Sequence, residues 1–521
     1  MGFWEFPKRK TLGNLIGKVV NLPGKPINTE NIIVAIEEDE EISMHALLVA
    51  KDDDYLYLLR VVDIFYYSPL ATPQDSKTAL VLFQKNVTPE EAMGHFQAFR
   101  AVRTELLDVA IKEEEEFRLL GPKKIPKPLT PVYRPSSESY KLLYGYQRNP
   151  VTVGKLIDSD VEATIDVQNL SRHLLVIGTT GTGKSWFRGV LLERLYDMGV
   201  PQLVFDPLRD YVVAVEDLGG VNLRYGRDYL PDLSTITEGS FANMLIDVLT
   251  PLQLSIALKG FRKFKMAVIN GKHGPEPAKL LDYIEEAAED MRARDETRGN
   301  VLGRIEVLLR EMGYDTERRG ILAYSGSAEN ILTAEKLGKM LNDKLIVNID
   351  LRGVGDLGLQ TTVASSLSQL RHLREKDVVP PLIVSFDEAH RIAPRGKGSS
   401  PALPIVKDTI RFGRHYGIGV IAITQFPDSV DIELIRLPTT RLIFAVDADQ
   451  IGAVSGLLGD LPESLRRHLP KLERGTAFLA GTVDVVRHTL YVRISSERRT
   501  KHGGETPQFR VRYGGYRHGQ A

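Results

Sequence analysis

The sequence predicts an α/β protein, a parallel sheet wound with helices, interrupted by a helical insertion and preceded by a small β-barrel. Three observations predict it. A glycine-rich loop, Gly178 to Ser185, sits between a short apolar run and a helical spacing of apolar residues. Apolar runs recur at 202–206, 382–386 and 419–424 with helical patterns between them, as parallel strands joined by helices require. Ahead of these, residues 11 to about 85 alternate Val-, Ile-, Leu- and Tyr-rich segments with turn clusters, the spacing of a barrel or sandwich.

Length and composition bound the rest. A chain of 521 residues exceeds one ordinary domain. Its 43% hydrophobic and 26% charged residues are those of a globular protein. The net charge of −1 carries no global signal for nucleic acid, so any such contact needs a local patch or an interior surface. Without cysteine there are no disulfides, thiol nucleophiles or thiolate zinc sites. No apolar run approaches the ~20 residues of a membrane span. The start places Phe3, Trp4 and Phe6 before Lys8-Arg9-Lys10, the reverse of a secretory signal.

Taken in order, the barrel strands fall at Leu15 to Val20, Asn31 to Ile36, Ala46 to Ala50, Tyr55 to Tyr67 and Thr78 to Phe83. Thr88-Pro89-Glu90-Glu91 has a capping Thr, a first-turn Pro and a Glu three residues after the cap, which predicts a helix to about Leu120. Residues 1–120 thus read as a barrel-like docking domain with a helix. Residues 121–150 read as a Pro-rich linker. The α/β core takes 151–238 and 331–490. Between them, 239–330 is helical, with Phe241, Met244, Leu245, Val248 and Leu249 at period 3.6; its Lys259, Arg262, Lys263 and Lys265 read as a solvated face. The basic tail, 491–521, has no core of its own and is expected to strap onto a neighbour or bind an acidic partner.

Two stretches carry the chemistry. In Gly178-Thr179-Thr180-Gly181-Thr182-Gly183-Lys184-Ser185 the glycines let backbone N–H groups curl toward phosphate oxygens. Lys184 is expected to reach the β- and γ-phosphates of ATP, and Ser185 to offer its hydroxyl to Mg²⁺. In Leu382 to His390 a buried strand delivers Asp387 and Glu388 at its C-terminal end. Asp387 is expected to hold Mg²⁺ and Glu388 to accept a proton from the attacking water or orient it. His390 either couples hydrolysis to DNA or packs beside the acids. Gln425 ends the next strand, where it can sense the γ-phosphate. Arg414 has no evident phosphate contact in its own subunit, so a neighbour's γ-phosphate in a ring is its expected target. Pro394-Arg395-Gly396-Lys397-Gly398 reads either as an exposed basic turn or as a DNA-contacting loop.

The order of Arg172-His173, the phosphate loop, Asp206-Pro207 with Tyr211, Asp387-Glu388-Ala389-His390, Gly413-Arg414-His415-Tyr416-Gly417 and Thr424-Gln425 resembles the HerA family of hexameric DNA translocases, relatives of FtsK. Arg498-Arg499-Thr500-Lys501-His502-Gly503-Gly504 is similar to that family's C-terminal signature. The resemblance covers about residues 150 to 505. It implies a RecA-like P-loop NTPase fold, ATP and Mg²⁺ as cofactors, nucleotide contacts at Asp206, and a homohexamer around duplex DNA bound without regard to sequence. It matches Arg414 to an arginine finger acting in trans and Arg172 to a second nucleotide-contacting arginine. It implies a partnership with a NurA-like nuclease or another effector in DNA end resection and break repair, in the cytoplasm with the nucleoid and away from the membrane. The same motor residues would equally serve DNA transfer, packaging or anti-phage defence. A nucleotide-gated scaffold for a partner enzyme is the alternative of a different class.

Overall fold

The computed structural model describes residues 12–52, 54–68, 98–113, 116–144, 147–314, 330–396 and 400–501. Its N-terminal strands are β1 (Leu15–Val20), β2 (Ile32–Ile36), β3 (Leu47–Lys51), β4 (Tyr55–Tyr67), β5 (Phe99–Glu113), β6 (Glu116–Leu119) and β7 (Pro131–Tyr133). They pair antiparallel in the order β2-β1-β7-β3-β4-β5, and β2 pairs with β5, so six strands close a barrel and β6 hangs on its outside. Closure removes both sheet edges and seals Ile16, Val34, Leu48, Tyr57, Leu59 and Val102 in a core of their own.

Two expectations fail here. The helix to Leu120 is β5 and β6 from Phe99 onward, while its start signal and the strand at 78–83 lie outside the described residues. Helix-forming Leu, Glu and Ala were outweighed by the backbone pairing that β4 offers along nearly its whole length. Val102 and Thr104 keep period two, but the register slips between Asp108 and Leu106, and that bulge hides the alternation. Nor is 121–150 only a linker, because Pro131–Tyr133 enters the barrel between β1 and β3. Proline at the strand's first position withholds no ladder bond the barrel needs. A helix, α1 (Ser137–Tyr144), follows.

The core strands are β8 (Pro150–Leu156), β9 (Glu162–Asp166), β10 (Leu174–Ile177), β11 (Gln202–Asp206), β12 (Val221–Arg224), the small pair β13 (Leu230–Pro231) and β14 (Ile331–Leu332), β15 (Ile346–Asp350), β16 (Leu382–Phe386), β17 (Ile418–Thr424), β18 (Thr440–Ile443), β19 (Thr476–Gly481) and β20 (Leu490–Ile494). The main sheet runs β12-β15-β11-β16-β17-β10-β18-β19-β20-β8-β9. It is parallel from β12 to β18 and antiparallel beyond. Strands β10, β16 and β17 are buried at every position, which is why they read as unbroken apolar runs. Helices α2 (Lys184–Asp197) and α3 (Val212–Asp217) follow β10 and β11. Four more, α4 (Glu238–Leu245), α5 (Pro251–Ile269), α6 (Pro277–Asp290) and α7 (Asp295–Glu311), form the helical layer after β13. Its basic cluster is spent within the chain: Lys259 and Lys263 pair with Asp290, Arg262 with Glu238, and Lys265 bonds the Ile236 carbonyl.

The barrel is welded to the sheet. Leu47, Val49, Leu56 and Leu58 share one core with Leu174, Val176, Leu479 and Val492. Arg60, 1% exposed, donates to Glu105 at 2.7 Å, to the Asp460 carbonyl at 2.7 Å and to the Thr489 carbonyl at 3.2 Å. Arg60→Ala strands those acceptors under the interface and is expected to cost about 3–5 kcal/mol. A lower denaturant midpoint checks this; an unchanged midpoint would mean that apolar contact alone holds the barrel.

The first residues of the basic tail do find an acidic partner, in the same chain. Glu193 on α2 accepts from the Thr500 N–H at 3.0 Å and the Arg499 N–H at 3.1 Å. The Arg498 guanidinium packs 5.5 Å from the centroid of Trp186. Residues after Lys501 lie outside the described region. Among the described residues no helix is long and apolar enough to cross a membrane.

Candidate nucleotide site

The glycine-rich loop leaves the end of β10 between β17 and β18, with the Gly178 N–H on the Thr424 carbonyl and the Thr179 N–H on the Ala445 carbonyl. Its glycines are required by geometry. A Cβ on Gly178 would stand 2.6 Å from that of Phe444, and Gly181 and Gly183 take φ of +79° and +121°. Helix α2 starts at Lys184 directly after Gly183, so its free N–H groups and positive dipole end face the loop. Ser185 sits in that first turn. The open curl and the helix end fit a polyphosphate.

Lys184 Nζ donates to the Thr179 carbonyl at 2.8 Å. Burial pulls its amine below the usual range, while Glu388, Asp387 and Asp210 pull the other way. These acids come from neighbouring strands. Asp387, at the end of β16, is 5% exposed and accepts from the Tyr211 hydroxyl and the Glu388 N–H, each at 3.0 Å. Burial, then the charges of Glu388 and Asp210, push its carboxyl up to about 7. Glu388 has a left-handed φ of +51°, which turns its side chain sharply out of the strand line. Burial raises its carboxyl too, opposed by Lys184, Gln425 and Arg391.

Strand β17 lies between β10 and β16, with Thr424 beside Ile177 and Ala422 beside Phe386. That order puts Gln425 between the loop and the acid pair. Its Oε1 accepts from the Thr180 hydroxyl at 2.7 Å, and its Nε2 lies 3.3 and 3.4 Å from the two Glu388 oxygens. His390 Nδ1 is 3.2 Å from Glu388 Oε2, and its ring stands edge-on to Phe426 at 5.2 Å. Thr180, Lys184, Asp387, Glu388 and Gln425 therefore converge.

Asp206 is used differently from the expectation of a nucleotide contact. Its two oxygens accept the Asp210 and Tyr211 N–H groups, each at 3.0 Å, and burial pushes its carboxyl up to about 7. It thereby sets the turn that delivers Tyr211 to Asp387. Sequence reasoning missed Arg188, fully buried on α2, which donates to Ser385 Oγ at 3.0 Å and Gln202 Oε1 at 3.2 Å. Its position four residues after Lys184, on the apolar face of a helix, was the available signal.

Arg172 and Arg414 stand at the other end of the sheet. Arg172 precedes β10 and pairs with Asp484, and Arg414 is in the last turn of a helix preceding β17. The six steps from Ile418 to Thr424 put roughly 20 Å between that edge and the loop. Arg414 is exposed and, among the described residues, has no side-chain partner. In the candidate DNA loop, Pro394 bridges Val430 and the Arg395 N–H bonds the Ser429 carbonyl, while Lys397 and Gly398 lie outside the described residues.

Residues 151–370 match the family described as "Helicase HerA, central domain". The chain is 24% identical over 493 residues to a DNA double-strand break repair helicase HerA of Sulfolobus acidocaldarius, covering 91% of each chain. It is 25% identical over 378 residues to that of Sulfurisphaera tokodaii, covering 68% of this chain and 71% of the relative. Among solved structures, VirB4 of Thermoanaerobacter pseudethanolicus aligns with a TM-score of 0.52 at 20% identity, over 68% of this chain and 98% of its own, a likeness of fold.

Proposed function

We propose that the chain is a P-loop ATPase of the HerA kind, an ATP-driven motor that moves duplex DNA through a ring of six subunits, inside the cell, together with a nuclease of the NurA kind in DNA end resection. One observation carries the reading: the strand order gathers Lys184, Asp387, Glu388 and Gln425 around one phosphate-binding loop. A nucleotide switch or scaffold has no need of a glutamate held beside the phosphate lysine.

In this reading the backbone N–H groups of Gly178 to Ser185 and the Lys184 amine bind the phosphates of ATP. The Ser185 hydroxyl and the Asp387 carboxylate are the hard oxygen donors that suit Mg²⁺, which neutralises phosphate charge when bound. Glu388 takes the proton of the attacking water, and Gln425 sits where it senses the γ-phosphate. Tyr211 orients Asp387. Arg414, and with it Arg172, acts on a neighbouring subunit's nucleotide.

ATP hydrolysis measured with and without linear duplex DNA tests the proposal. Turnover is expected to rise with DNA. Slow hydrolysis indifferent to DNA would favour the scaffold.

The DNA contacts are proposed at Arg395 and Lys397. Arg395→Ala with Lys397→Ala is expected to lower the DNA stimulation several-fold and leave basal hydrolysis unchanged, because contacts to DNA phosphates add to affinity for DNA and take no part in the chemistry on ATP. Equal stimulation in the double variant removes the loop from the DNA path.

A further inference from the structure

His173 follows Arg172 and has both ring nitrogens engaged, yet it lies at the other end of the sheet from the phosphate loop. It is 4% exposed. Its backbone takes φ +70° and ψ 152°, a region that side-chain-bearing residues rarely occupy and that persists only where surroundings hold it. Two bonds from the ring do so. The Val420 N–H of β17 donates to Nδ1 at 3.0 Å, and Nε2 lies 2.9 Å from the Ile410 carbonyl.

These partners fix the tautomer. A ring nitrogen that accepts from an N–H carries no proton, so the proton is on Nε2 and is donated to Ile410. Burial lowers the imidazole to about 4, which keeps it neutral.

Ile410 belongs to α11 (Leu403–Tyr416; α8, α9 and α10 being Ala334–Lys344, Asp356–Glu375 and Ala389–Ile392), and its carbonyl is the acceptor that helix geometry assigns to the Arg414 N–H. His173 therefore grips the same peptide oxygen that seats Arg414. Gly413 packs on the ring, where a Cβ would come within 3.3 Å of His173 Cε1 and 2.5 Å of the Ile418 carbonyl. On the other side, the Thr440 N–H bonds the His173 carbonyl and the Thr439 N–H bonds the Arg172 carbonyl.

We infer that His173 is a positioning residue that locks Arg172 and the Arg414-bearing end of α11 into one rigid unit, so that the two arginines are presented together to the polyphosphate bound by a neighbouring copy of this chain. The inference rests on the proposal that Arg414 acts in trans. Arg411, one turn earlier, is held separately by both oxygens of Glu433 at 2.6 and 2.7 Å.

The test uses His173→Asn in the full-length chain. Asn is no worse suited than His to φ +70° and ψ 152° and keeps an acceptor near Val420, but it is too short to reach Ile410. Expected is a kcat lower by about 100-fold with KM within about two-fold, the effect of misplacing a transition-state group while nucleotide binding stands. In the pair His173→Asn with Arg414→Ala the loss should be no greater than in Arg414→Ala alone. A pair whose losses multiply would overturn the positioning role and leave His173 a packing residue. If His173→Asn fails to fold, His173→Gln, whose amide reaches Ile410, carries the same comparison, with kcat retained to within about ten-fold expected and full loss overturning the inference. Arg414→Ala with full turnover would sink the underlying trans reading itself. A dead Arg414→Ala beside an unaffected His173→Asn would sink only the inference.

Discussion

Replacing Glu388 by Gln is expected to lower ATP turnover by about 10²- to 10⁴-fold, the share of a positioned general base, while nucleotide still binds. Gln keeps the shape of the side chain and its contact with Gln425, 3.3 to 3.4 Å away, so the phosphate loop keeps its bonds. What disappears is the negative charge that faces Lys184 and takes a proton from water. The measurement is steady-state hydrolysis by both proteins, each with and without linear duplex DNA, alongside binding of a fluorescent ATP analogue. Loss of turnover with retained binding assigns the base to Glu388. Undiminished turnover would move that role elsewhere, and Asp210, which with Asp387 is the other acid acting on Lys184, would be the first to examine.

Arg414→Ala is expected to have an effect as large or larger, about 10³- to 10⁵-fold in kcat, as for arginines that reach a transferring phosphoryl group. Its stability cost should stay within about 0.5 kcal/mol, because the side chain is exposed and unpartnered among the described residues. Arg414 sits roughly 20 Å from the loop of its own chain, and its proposed target is the nucleotide of another copy. Mixing Arg414→Ala subunits with Lys184→Ala subunits should then restore turnover, since some interfaces pair an intact loop with an intact arginine. Mixed rings confirmed by two affinity tags but devoid of activity would rule out action in trans.

The loop and the acid pair were legible in the sequence because their chemistry is local. Gly178 to Ser185 and Asp387-Glu388 each follow a strand buried on both faces, and buried parallel strands read as apolar runs whatever surrounds them. Gln425 was legible for the same reason. Arg188, Tyr211 and His173 were not legible as working parts. Their roles depend on which strands become neighbours, and Tyr211 reaches Asp387 across 176 residues of chain. The stretch 99–119 misled because helix propensity acts within one segment, whereas strand pairing is decided by a partner elsewhere.

By itself the sequence determined the parallel α/β core, the helical insertion, the barrel ahead of them and the positions of the glycine-rich loop and the acid pair. These follow from side-chain period, buried runs and the conformational needs of a few glycines. Only the tertiary structure decided that β5 is a strand, that Pro131–Tyr133 closes the barrel, that the tail docks on Glu193, and that Asp206 serves a turn. It also separated Arg172 and Arg414 from their own loop by the length of a strand. Each of those outcomes rests on pairing and burial between distant segments, which no local stretch of residues encodes.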